Sequence, residues 1–264
     1  MARTLMLVAT LLVAAGGIAA GFDVTACDTT VPPGETGILQ NDLSCSGAFV
    51  AVNVSDGATL DMQGHAISGA PTGDAAVSCN GKRCRVTGPG DISGPVTAIS
   101  ILSGRQRLTV SDVTIHDCHF GVLDNSAQPG AVVASNLSVT GCSAAGVQVR
   151  KLRGTGVSAT SNGGPGLAVY KLRAENVVAS DNGAQGIFGG AARVKGLVAN
   201  NNGDAGVRVV KAALRDATLT GNNGYGAGFD VLTKRRPHVM NVTCGKSGVL
   251  GGLITDTWGV CAGD

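Results

Sequence analysis

Five side chains able to move protons or hold a metal fall between positions 112 and 124: Asp112, His116, Asp117, His119 and Asp124. An aspartate near a histidine can act as base and acid, or the two can share a metal ion. Strand alternation from inward Val113 and Ile115 turns Asp112 and His116 outward and brings Asp117 into a corner. The competing reading makes all five corner and turn residues around a bridge at Cys118. Asp61 and His65 form a second pair, read as a turn aspartate and a satisfied, partly buried histidine. His238 follows a basic run and has no obvious partner.

The cations carry a stronger pattern. Residues 22–125 hold eleven acids and five bases, whereas residues 126–264 hold seven acids and fourteen bases. In the second half the bases recur every twenty residues. Lys151, Lys171 and Lys211 share one column, with Ala191 in the gap. Arg153, Arg173 and Arg193 share another, with Ala213 in the gap. Arg150, Lys195, Arg208 and Arg215 lie near both. Like charges about 5 Å apart in water repel by a little under 1 kcal/mol per pair. An extended polyanion lying along the columns relieves that repulsion and engages several charges at once. Outside a cell the expected polyanion is an acidic polysaccharide. Nucleic acid is disfavoured because aromatics for base stacking are not interleaved with the bases; only Tyr170 is close. The plainer alternative is that Lys and Arg keep a β surface in solution and guard it against edge pairing.

These columns need a framework that repeats. Val139, Ala159, Ala179, Ala199 and Leu219 are spaced by twenty residues, and Cys142, Asn162, Asn182, Asn202 and Asn222 each follow by three. Gly146, Gly166, Gly186 and Gly206 each introduce an apolar pair, and a further apolar residue follows at Leu152, Leu172, Val194 and Leu214. Within the unit, Val147 and Val149 alternate with Gln148 and Arg150, which is the period of a strand. Twenty residues are too few for a helix pair or a propeller blade. What remains is an all-β solenoid, a coil of short strands stacking at about 4.8 Å per turn. Asn162, Asn182, Asn202 and Asn222 then sit at one corner of successive coils and can pass their amides along as a ladder. The Asn-Gly pairs at 162–163, 182–183 and 202–203 suit a corner with positive φ.

The stretch Leu60-Asp61-Met62-Gln63-Gly64-His65-Ala66-Ile67-Ser68-Gly69, taken with this repeat, resembles the right-handed parallel β-helix superfamily of pectate lyases and polygalacturonases. The resemblance covers about residues 27–261 and implies a single-stranded, right-handed parallel β-helix. It implies no particular activity, because that fold hosts many chemistries. The hydrolase set of Asn-Thr-Asp, Asp-Asp, Gly-His-Gly and Arg-Ile-Lys is absent. Arg193-Val194-Lys195 resembles the last of these and stands alone. A polysaccharide lyase, hydrolase or epimerase with an unfamiliar site around Asp112–Asp124 is the enzymatic alternative. A purely structural or adhesive solenoid is the other. No cofactor is implied.

Met1–Ala20 has a positive start at Arg3, a short apolar run and small residues, the pattern of a removable signal peptide. No other stretch suits a transmembrane segment. The expected product is secreted, extracellular or periplasmic. Residues 21–48 read as an N-terminal cap, 49–237 as the repeats, and 238–264 as a C-terminal cap with Trp258 as lid. Val24-Thr25-Ala26-Cys27 loosely matches a lipid-attachment box, spoiled by Asp23. Asn53-Val54-Ser55, Asn136-Leu137-Ser138 and Asn241-Val242-Thr243 are glycosylation acceptors where the source glycosylates. The eight cysteines suit an oxidising compartment. Locality and the repeat pair Cys27 with Cys45, Cys79 with Cys84, Cys118 with Cys142, and Cys244 with Cys261. The sequence does not fix an oligomeric state.

Overall fold

A computed structural model describes residues 21–69, 75–102, 106–126, 130–224, 226–253 and 255–264. The expected signal peptide, Met1–Ala20, lies outside them. Among the described residues there are twenty strands and no helix. They stack in parallel as a β-solenoid of about nine turns. One isolated antiparallel bridge joins Gly224 and Phe229.

The regular coils show how one turn is built. Strands Val147–Thr160, Leu167–Val178, Ile187–Val198 and Val207–Leu219 pair in register, residue on residue plus twenty. Pairing skips residues 150 and 156, dividing the first of these strands into segments 147–149, 151–155 and 157–160. The second break has a backbone cause. Asp112, Asn136, Asn176, Asp216 and Asn241, with Gly156 and Gly196, all have positive φ there. Asn, Asp and Gly are the residues that adopt this conformation most readily. A third corner follows the strand, with positive φ at Asp117, Gly141, Ser161, Asp181, Asn201 and Gly221.

Inward residues form continuous buried columns, one rung per coil. Two neighbouring columns trade volume. One reads Leu152, Leu172, Ala192, Ala212; the other reads Gly154, Ala174, Val194, Leu214. Where one shrinks, the other grows, which keeps the interior filled at constant coil size. Val194 and Leu214, which the sequence pattern grouped with Leu152 and Leu172, therefore belong to the second column.

The asparagine ladder runs through the interior as a buried polar column. Asn162 Nδ2 donates to Asn182 Oδ1 at 3.0 Å, Asn182 to Asn202 at 3.0 Å, and Asn202 to Asn222 at 2.8 Å. Each oxygen also accepts the main-chain N–H of the previous coil, beginning at Cys142. Each amide also donates to a carbonyl, from Val139 through Ala159 and Ala179 to Ala199. Every member is thus satisfied, as burial demands. The column starts at the Cys118–Cys142 disulfide, with its Cα atoms 4.3 Å apart. It ends on Asp230, 2% exposed, whose Oδ1 accepts from Asn222 Nδ2 at 2.7 Å and whose Oδ2 accepts Gly245 N–H. The last position meets donors on both oxygens, so it takes an aspartate where the others take an amide.

The Asn-Gly pairs do not serve as positive-φ corners. That conformation lies one residue earlier, at Ser161, Asp181 and Asn201. Gly163, Gly183 and Gly203 are glycines for a different reason: a Cβ on each would fall on a carbonyl oxygen of the preceding coil. Gly166 likewise admits the ladder, since a Cβ there would stand 2.7 Å from Asn182 Nδ2.

Residues 21–48, expected as a cap, themselves carry rungs. Thr29–Val31 pairs with Val50–Val54, Thr36–Leu39 with Thr59–Asp61, and Leu43–Ser44 with Ala66–Ser68. At the other end His238–Cys244 and Ser247–Val249 add the final rungs. The disulfides are Cys27–Cys45, Cys79–Cys84, Cys118–Cys142 and Cys244–Cys261, and no cysteine is free.

Candidate functional site

The segment between the breaks at 150 and 156 turns residues 151, 153 and 155 of each coil outward. Register then stacks like on like. Lys151 pairs with Lys171, then Ala191, then Lys211. Arg153 pairs with Arg173, Arg193, Ala213 and finally His238. A third row runs Thr155, Glu175, Lys195, Arg215, Met240. A groove of about 950 Å³ follows this face along the stack, lined by the Arg153 and Thr155 rows over the small and aliphatic column between them.

Pairing decides which charges are available. Arg208 is tied to Asp204 at 2.8 Å, and Arg215 Nε lies 3.6 Å from Asp216. Burial pushes the Asp204 carboxyl up, but hydrogen bonds from Gln185, the Ala205 N–H and Arg208 outweigh it and hold the group below its usual value. Lys151, Arg153, Lys171, Arg173, Arg193, Lys195 and Lys211 form no ion pair with the described residues. All are exposed. Glu175 is the single carboxylate among the groove residues. Arg150, at the corner, lies over the Tyr170 ring at 5.8 Å.

The same face extends further toward the N-terminus than a period of twenty reveals. Arg83 pairs with Arg107, and Arg107 with Ala131, one residue before Val132 meets Leu152. Arg83 and Arg107 therefore continue the Lys151 row, and Arg85, paired with Thr109, continues the Arg153 row. The offset there is 24 residues, because the turns are longer while the face is unchanged. From Arg83 to Lys211 the row spans seven rungs, about 29 Å at the spacing of paired strands.

The protonating residues do not converge in the same way. Asp112 and Asp117 sit at two different corners, flanking Val113–Ile115. Asp112 accepts from Asn136 Nδ2 at 2.9 Å. Asp124 closes a turn through Ser126 and Gly130. His119 bonds Ser143 Oγ at 2.7 Å through Nδ1 and meets Phe120 edge-on. Only His116 gathers carboxylates: Nδ1 lies 2.7 Å from Asp117 and Nε2 lies 3.0 Å from Asp91. The Asp117 hydrogen bond, helped by Asp91 and opposed by burial, raises the His116 pKa. Both ring nitrogens of His116 are thus engaged by carboxylates. His65 pairs with Asp42 at 3.2 Å, and Asp61 holds the Gln63 turn. Among the described residues no group of three or more His, Cys, Asp or Glu side chains is placed to hold a metal.

No protein family model matches this chain, and neither the curated proteins nor the solved structures yield a match to it.

Proposed function

We propose that this protein is exported and binds an extended acidic polysaccharide along its basic face. The observation that carries the reading is the set of seven exposed cations without an ion pair, stacked in register on one face, of which Arg153, Arg173, Arg193 and Lys195 line its groove. Cations one rung apart repel one another, and only a ligand with recurrent negative charge removes that cost along the whole row. The rung spacing of about 4.8 Å is close to the length of one sugar unit in an extended polymer, so each coil can meet one acidic unit. Four disulfides agree with an oxidising compartment. We place the fold with the pectate-lyase-like β-helices on the phrase from Leu60 to Gly69. A binding role is favoured over turnover because His116, the best-provided proton carrier, is occupied on both nitrogens and lies off the Arg153 row.

The test is affinity electrophoresis of the mature protein through gels containing polygalacturonate, alginate or dextran. Retardation by the two acidic polymers supports the reading. Equal mobility in all three gels removes it. Appearance of reducing ends or unsaturated product in the acidic gels would make the protein an enzyme instead.

A further inference from the structure

A second recess lies over the outward side of Thr29–Val31, Val50–Val54 and Ala75–Cys79. Its volume is about 250 Å³, room for about eight waters at their liquid volume. Register sets one hydrogen-bonding side chain on each rung: Thr30 pairs with Asn53, Asn53 with Ser78, and Ser78 with Ser100. Ser78 is among the lining residues, is 1% exposed, and its Oγ has no hydrogen-bond partner. Ser100 Oγ on the next rung is also buried without one. A buried hydroxyl left unbonded costs the fold about 1–3 kcal/mol.

The rest of the lining supplies both kinds of polar group and an apolar wall. Asp28, in the lining, accepts the N–H groups of Phe49 and Val50 through Oδ1 at 3.0 and 3.2 Å, which fixes its carboxyl. Asn80 Nδ2 donates to Asn53 Oδ1 at 2.8 Å, which leaves Asn53 Nδ2 and Asn80 Oδ1 to bond a ligand. Phe49, 70% exposed, and Leu102, 40% exposed, form the wall. A carboxylate fixed on the rim turns away anions, and no cation in the lining would offset it. The ligand must then carry several neutral donors and acceptors around a compact body with a C–H face for Phe49. That is the description of a neutral hexose unit.

We propose that this recess binds one neutral sugar residue, independently of the basic face. The protein is produced in a host that leaves the Asn53-Val54-Ser55 sequon unmodified. Saturation-transfer NMR is run with methyl glucoside, methyl galactoside and methyl mannoside. At least one should receive saturation, and Phe49→Ala should weaken it about tenfold, the worth of a lost ring contact. Ser78→Ala gives the sharper reading, because it should raise thermal stability while lowering sugar affinity. Arg153→Ser/Arg173→Ser should leave sugar binding intact. Three results overturn the proposal: no saturation of any glycoside, binding unmoved by both recess variants, or binding lost in the basic-face variant. A Ser78→Ala protein that is less stable and binds equally well would show that the hydroxyl serves the fold.

Discussion

Replacing Asn182 by alanine isolates the contribution of one rung of the buried ladder. The side chain takes part in four hydrogen bonds: it accepts from Asn162 N–H at 3.1 Å and Asn162 Nδ2 at 3.0 Å, and donates to Ala159 O and Asn202 Oδ1, each at 3.0 Å. At about 1 kcal/mol net per bond the ceiling is near 4 kcal/mol. Some partners are rescued. Asn162 Nδ2 keeps Val139 O at 3.4 Å, and Asn202 Oδ1 keeps the residue-182 N–H. The main-chain N–H of Asn162 loses its acceptor, which alone costs about 1–3 kcal/mol when buried. The expected loss is therefore about 2–4 kcal/mol, a large share of the ~5–15 kcal/mol typical of a domain. Urea unfolding followed by far-UV circular dichroism should show it as a lower midpoint. Asn182→Asp tests the direction of the bonds. It restores the acceptor but sets an oxygen against Ala159 O and Asn202 Oδ1, so it should be at least as damaging as alanine. A change below about 0.5 kcal/mol for Asn182→Ala, or recovery by aspartate, would refute the ladder's energetic role.

Gly186→Ala should destabilise by about 1–3 kcal/mol through overpacking, since its Cβ would lie 2.7 Å from Gly206 O and 2.9 Å from Asn202 Nδ2; a urea midpoint matching wild type would count against that contact. His116 provides a pH test. Its raised pKa means that its pairing stabilises the fold fully below the unfolded value of about 6.5 and fades as the pH rises through the folded value. The stability gap between wild type and His116→Gln should narrow from pH 6 to pH 9, by no more than about 1 kcal/mol because the pair is partly exposed; a gap that widens with pH would contradict the assignment. On the basic face, Arg83→Ser/Arg107→Ser should weaken polygalacturonate binding about two- to tenfold at low salt, each exposed charge contact being worth ~0.2–1 kcal/mol; binding unchanged in that variant would confine the site to the twenty-residue coils.

How much of this was legible depends on what sets each feature. Side-chain period and spacing are written in the chain, so the parallel solenoid, the asparagine column and the disulfide partners could be read from Val147, Asn162 and Cys142 and their repeats. Backbone approach is not written there. Gly163 and Ser161 are both plausible corner residues, and only coordinates show that serine takes the positive φ while glycine yields room to a carbonyl. Coil length hid part of the face as well. Arg83 and Arg107 lie 24 residues apart and fall outside a search at twenty. The signal would have been an alignment by inward residues, Val86 on Val110 on Ala134, in place of a fixed period. Of the Asp112–Asp124 group, legible as a cluster in sequence, His116 and Asp117 meet in space, while the corner at Asp112 sets that residue apart against Asn136.

The most direct test of the central claim is the affinity for polygalacturonate, measured by biolayer interferometry across a salt series, for wild type and for Arg153→Ser/Arg173→Ser/Arg193→Ser. These three stack on successive rungs at the lip of the groove. Their loss should lower affinity about tenfold or more at low salt and flatten the salt dependence, since screening acts on exposed charge contacts. Wild-type affinity retained by the triple variant, or binding indifferent to salt, would contradict the account and leave the basic rows as solvated surface.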